Sequence, residues 1–217
     1  MALGPAVRTR LGRYEIPAAD AYRSLFINLD DCAEVMASVF PAARILEIGC
    51  GDGSFAQRLL KRYPKADYVG IDVSAQPGRL FRGDPARVQF ASVDSASFRA
   101  TEPGTFDLVV VVDVIHHVPH ELREALFRDV RALTTPGGHY AIKEWEPRPG
   151  PAHLACWAAD RFITGDRISH VPSAAMKSRL ADLLGDELVL EARIPPHRHN
   201  YLLGYAREGI PAQRTGD

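Results

Sequence analysis

Short apolar runs recur along the chain, each followed by a segment whose apolar residues fall at helical spacing. Runs at about 43–48, 67–71, 87–91, 106–112 and 138–144 predict strands, and segments near 54–63, 119–134 and 173–184 predict helices. Leu108 to Val112 is apolar at every position, the pattern of a central strand covered on both faces. Alternating strands and helices imply a parallel sheet with helices on both sides, whose ligands sit beyond the carboxyl ends of the strands. Further on, 187–194 and 201–206 read as strands joined by a short polar loop that contains Pro195 and Pro196, and so as an antiparallel pair.

The first strand carries Glu47 and stops after Ile48, and Gly49, Gly51 and Gly53 follow at every second position before Ser54 opens a helix. Glycines there let the turn bend sharply and let a ligand lie against bare backbone, while the new helix aims its free N–H groups at that ligand. A dinucleotide fingerprint wants G-x-G-x-x-G, and this spacing differs from it. Glu47, set directly before the loop, would repel a pyrophosphate but suits a ligand with ammonium and sulfonium charges. The second strand ends in Asp72, near the roughly 20-residue offset at which an acid meets the ribose hydroxyls of a bound nucleoside. Asp94 and Asp113 follow the third and fourth strands, so four acids rim one edge of the sheet.

These landmarks together resemble the class I S-adenosylmethionine-dependent methyltransferases of the small-molecule type. The resemblance implies an α/β fold, a Rossmann-like doubly wound seven-stranded sheet, mostly parallel with an antiparallel C-terminal hairpin. It implies that S-adenosyl-L-methionine is the cofactor, held by Glu47, Gly49, Cys50, Gly51, Gly53, Asp72, Val73, Asp94, Ser95 and Asp113. Val73 stands where the family places an apolar residue against the adenine, and Asp94-Ser95 resembles the pair that marks the adenine amine. Val114-Ile115-His116-His117-Val118 and Pro136-Gly137-Gly138 continue the family's order.

Composition agrees with one globular enzyme: 217 residues, 46% apolar and 24% charged. A net charge of −1 speaks against a nucleic-acid-binding surface. Three scattered cysteines, without a C-x-x-C, suggest neither a disulfide frame nor zinc. No apolar stretch reaches membrane-spanning length, and Met1 to Pro17 lacks an apolar signal core, so a soluble cytoplasmic enzyme is expected, as a monomer or homodimer. Arginines far outnumber lysines, a codon bias that mildly favours specialised metabolism.

Residues 1–40 are expected to form a helical cover, 41–207 the methyltransferase domain with a lid-like insertion at about 145–172, and 208–217 a tail. His116 and His117 are the candidate catalytic bases, because histidine titrates near neutrality and both follow Asp113 at the mouth of the site. Tyr22, Glu144, Trp145, His153 and Trp157 are candidate contacts for a small-molecule acceptor. His120, His170, His197 and His199 share no ligand spacing on one element and read as surface residues, so no metal is expected. No Asn/Asp-Pro-Pro-Tyr/Phe turn follows the fourth strand and no basic groove is evident, so the chain resembles a methylase of a small molecule, with oxygen expected slightly ahead of nitrogen or carbon as the methylated atom. Two other readings stay open: an adenosylmethionine-binding protein that does not methylate (a pericyclase, scaffold or regulatory subunit), and an NAD-dependent dehydrogenase. For the latter no Tyr-x-x-x-Lys pair is present.

Overall fold

A computed structural model describes residues 24–151 and 168–208, together with Ala21, His153, Leu154 and Ala158. The first described helix, α1 (Leu29–Val39), is capped by Asn28, whose side chain accepts from the N–H groups of Asp30 and Asp31. Next come β1 (Arg44–Ile48), α2 (Ser54–Arg62), β2 (Asp67–Asp72), β3 (Val88–Ser92), α3 (Ser95–Thr101), β4 (Phe106–Val112) and α4 (Arg123–Leu133). The chain then forms β5 (Thr134–Trp145), α5 (Ser173–Leu184), β6 (Glu187–Arg193) and β7 (Asn200–Ala206).

The sheet has seven strands in the order β3-β2-β1-β4-β5-β7-β6. Strands β1 to β5 pair in parallel, and β7 pairs antiparallel to both β5 and β6. The doubly wound sheet with an antiparallel C-terminal pair is the fold expected from the sequence.

Strand periodicity sorts the core into two layers. Val109 and Val111 of β4 pack with Leu126, Phe127 and Val130 of α4 and Met176 and Leu180 of α5. Leu108 and Val110 face the other way, against Cys32, Ala33 and Met36 of α1 and Phe55, Ala56 and Leu59 of α2. Helix α1 thus buries its apolar face in this layer. The chain just before it, Phe26 to Leu29, reaches the rim of the site.

Three boundaries differ from the pattern reading. The helix expected over 119–134 begins at Arg123, after a 3-10 turn at His120–Leu122. Strand β5 begins at Thr134, and its pairing with β4 jumps from Phe106↔Thr134 to Leu108↔His139, so that Pro136 and the glycines loop out of register. Helix α3 was not expected at all; its residues Ser95–Thr101 include none that are buried, so no apolar stripe announced it. Among the described residues no helix is long and apolar enough to cross a membrane.

Candidate functional site

Past the carboxyl ends of β1, β2, β4 and β5 lies an open cavity of about 670 Å³. One end is built by the turn from β1 to α2. Gly49 (φ 76), Gly51 (φ 52) and Gly53 (φ 84) all take the left-handed conformation that side chains resist. They take it for different reasons. A Cβ on Gly49 would lie 2.3 Å from Cγ2 of Val114, so that glycine lets the β4 end approach the loop. A Cβ on Gly51 would meet nothing within 4 Å, and Gly51 lines the cavity, so its bare backbone fronts open space. Gly53 is the N-cap of α2 and does not line the cavity.

Asp72 ties this loop in place. Its Oδ2 accepts from the Gly51 N–H at 2.9 Å and its Oδ1 from the Ser74 N–H at 2.8 Å. Glu47 is 3% exposed and accepts from the Tyr68 hydroxyl at 2.5 Å. Burial pushes its carboxyl up to about 8, against the hydroxyl's hydrogen bond and with help from Asp52 and Asp72 nearby. Cys50 also lines the cavity; burial, with Glu47 and Asp72 adding to it, pushes its thiol far above the usual range and leaves it unreactive.

The other end is built by β4, β5 and the turn at Ile115–His117. Asp113 follows β4 with φ 55, and Lys143 of β5 donates to both its oxygens at 2.7 and 2.6 Å. His116, 6% exposed, meets the Glu144 carboxylate through Nδ1 at 2.6 Å, while the other Glu144 oxygen accepts from the Ile115 N–H at 2.6 Å. Burial would raise the Glu144 carboxyl, but the imidazole and that backbone donor outweigh it and hold the group below its ordinary value. A carboxylate on Nδ1 fixes the imidazole's orientation. The His117 ring lies 4.2 Å from that of His116, centroid to centroid, and both line the cavity.

Trp145 also lines the cavity. It is 2% exposed, stacks on His199 at 4.7 Å and 5°, meets the edge of Phe26 at 6.3 Å, and donates from Nε1 to Nδ1 of His153 at 3.1 Å. His170 lines the cavity as well, its ring 5.0 Å from His116 and 5.6 Å from His153. Burial, with His116 adding to it, pushes His170 down to about 4, so its imidazole is neutral at ordinary pH.

The structure therefore gathers Glu47, Gly49, Cys50, Gly51, Asp72, Asp113, His116, His117 and Trp145 around one cavity. Others it places elsewhere. Asp94 caps α3, accepting from the N–H and hydroxyl of Ser97, and Ser95 donates to Asp129; neither lines the cavity. A helix start needs its orphan N–H groups met, and that demand takes the Asp94 carboxylate. Val73 is 81% exposed and lies outside the lining. Glu144 and His153 do not line the cavity; Glu144 meets the Ile115 N–H and the His116 ring, and His153 meets Trp145. Tyr22 and Trp157 lie outside the described residues, as does most of the expected insertion.

Three of the four histidines read as surface residues need correction. His120 is exposed, but His170 faces His116, and His197 and His199 pack on Trp145. They sit on different elements, which spacing along the chain cannot relate. Lys143 was missed too, although a lysine and a glutamate directly after the apolar run Tyr140–Ile142 were a signal: charges on a buried strand must be paired.

Residues 46–140 match the family model described as a methyltransferase domain. An uncharacterised methyltransferase of Mycobacterium tuberculosis is 34% identical over 118 residues, 53% of this chain and 58% of that one. A ubiquinone biosynthesis O-methyltransferase of Xanthomonas campestris is 27% identical over 138 residues, 62% of this chain and 55% of its own. The match thus spans little more than half the length of these curated relatives. Among solved structures, a 1,6-didemethyltoxoflavin-N1-methyltransferase of Burkholderia thailandensis, with S-adenosylhomocysteine bound, superposes with a TM-score of 0.65. Its identity is 15%, and the alignment covers 93% of this chain and 87% of that one.

Proposed function

We infer that the chain is a class I S-adenosylmethionine-dependent methyltransferase, as its match to a methyltransferase domain over residues 46–140 supports, and propose that it moves the methyl group of S-adenosylmethionine to an oxygen of a small-molecule acceptor. The residues present fit the cofactor. Gly51 leaves open space where any side chain would stand, and Glu47, Asp72 and Asp113 rim the same cavity for a ligand that carries two positive charges. Asp72 would hold the ribose hydroxyls, Glu47 and Asp113 would face the positive charges, and Gly49, Cys50 and Gly51 would run along the ligand. Bound there, the cofactor supplies an electrophilic methyl group on sulfur. The protein's part is to align the acceptor, exclude water and handle the acceptor's proton.

The observation that carries the oxygen-acceptor reading is the pair Glu144–His116 in the wall of the cavity that Gly51 and Asp72 also line. An acceptor that arrives as a hydroxyl must lose a proton as it attacks, and a buried imidazole held by a carboxylate is suited to take it. The imidazolium so formed is stabilised by Glu144 behind it. His117 orients the same hydroxyl, and the buried Trp145 shapes the same cavity. A cavity of this size supports a small molecule, and the name of the Xanthomonas relative supports oxygen.

Single-turnover incubation with methyl-labelled cofactor and a set of phenols, hydroxy acids and amines tests the reading. The label is expected in a methyl ether, with one S-adenosylhomocysteine formed per ether. Transfer to amines alone would overturn the choice of oxygen, and cofactor recovered unchanged from every acceptor would overturn the activity.

A further inference from the structure

His170 is placed with care by the chain around it. The Ser169 N–H donates to the His116 carbonyl at 2.9 Å, Arg123 donates to the Ser169 carbonyl at 2.8 Å, and the Tyr201 hydroxyl donates to the Val171 carbonyl at 2.9 Å. Its neighbours are satisfied; its own ring is not. Both ring nitrogens are sealed from solvent and have no hydrogen-bond partner among the described residues. A neutral imidazole brings one N–H donor and one lone pair, and leaving both unmatched in a buried place is costly enough to demand a ligand, an ion or water.

Its surroundings favour an ion. One ligand atom each from His116, Glu144 and His170 can be chosen so that all three lie within 4.8 Å of one another. Two imidazoles that bind one ion at about 2.0–2.1 Å bring their ring centroids to about 5 Å, the spacing seen between His116 and His170. Imidazole nitrogens with one carboxylate suit zinc, copper, nickel or ferrous iron, whereas magnesium and calcium prefer oxygen alone.

We propose that His116, Glu144 and His170 form a site for a divalent transition metal of the zinc class, and that an ion held there silences the enzyme by occupying the His116 imidazole. The second half rests on the methyl-transfer reading above; the first does not. Binding would be reversible, because the ion has to loosen the 2.6 Å contact between His116 and Glu144.

Titration of zinc chloride into the metal-stripped full chain tests the site, with His170→Ala and, as a surface control, His120→Ala beside it. One ion per chain is expected, weakened about tenfold or more by His170→Ala and unchanged by His120→Ala. Retained S-adenosylhomocysteine binding shows that the His170 variant is folded, and the visible spectrum of the cobalt-loaded wild type reports imidazole ligation without any variant. No stoichiometric binding, or equal binding by His170→Ala, overturns the site. For the regulatory half, methyl transfer should fall in step with zinc occupancy, compete with the acceptor but not with the cofactor, and return on chelation. Zinc bound at full transfer rate overturns that half alone.

Discussion

Lys143 holds both oxygens of Asp113, its Nζ 2.7 Å from Oδ1 and 2.6 Å from Oδ2, and the two ends of this pair are unequally buried: the lysine side chain is 2% exposed and the aspartate 33%. Asp113 also carries the positive φ of 55° that the turn out of β4 requires. The pair bridges β5 to a residue that lines the cavity.

Unequal burial predicts unequal costs. Asp113→Asn strands an ammonium in the interior and should cost about 3 kcal/mol or more, whereas Lys143→Met leaves a carboxylate that water can still reach and should cost about 1–2 kcal/mol. The double variant should recover part of the Asp113→Asn loss. Urea denaturation with a constant slope measures all three.

Glu47 predicts a proton released on cofactor binding. Its carboxyl is pushed up to about 8, so at pH 7 it is largely protonated; a ligand bearing positive charge favours the ionised form and lowers that value. Affinity for S-adenosylmethionine should therefore rise with pH, by up to about tenfold per unit, until it levels off near 8. Calorimetry at pH 7 in buffers of different ionisation enthalpy should show net proton release, and Glu47→Gln should abolish it. In the free protein the sign is opposite. Because the folded value lies above the unfolded one, stability from this group is complete below about pH 4.5 and falls as pH rises toward 8, a slope that Glu47→Gln should flatten.

Two glycines of one loop should fail differently. Gly49→Ala drives a methyl into Val114 and should destabilise the fold, while Gly51→Val, with open space around it, should cost mainly backbone strain of about 1–2 kcal/mol and block cofactor binding. Melting temperature and S-adenosylhomocysteine affinity separate the two effects.

Much of this was legible because backbone chemistry writes itself into sequence. An apolar run such as Leu108 to Val112 can only be a covered strand, and the Gly49-x-Gly51-x-Gly53 spacing can only be a turn that must approach something closely. What stayed hidden came from pairings between distant elements. Glu144 read as a pocket residue because nothing along the chain says that a carboxylate on β5 faces an imidazole on the turn after β4. His170 read as a surface residue because its partners lie far away in sequence. Asp94 matched a motif, yet the short polar helix α3 took its carboxylate as a cap.

The His116–Glu144 pair predicts a graded loss. His116→Asn should lower the turnover rate by about 10²-fold while leaving cofactor affinity intact, and Glu144→Gln, which acts through the imidazole's orientation, should lower it by about tenfold. Stopped-flow single turnovers at saturating cofactor measure both. An unchanged rate in His116→Asn would reduce the pair to a structural brace.

The central claim, that this cavity holds adenosylmethionine, is tested most directly by calorimetric titration of S-adenosylhomocysteine into the wild type and Asp72→Ala. One site per wild-type chain is predicted, with binding weakened in the variant by about 2–3 kcal/mol through loss of charge-assisted hydrogen bonds, well beyond the small drop in melting temperature from freeing the Gly51 and Ser74 N–H groups. Absence of binding to the wild type, or equal binding to the two proteins, would contradict it.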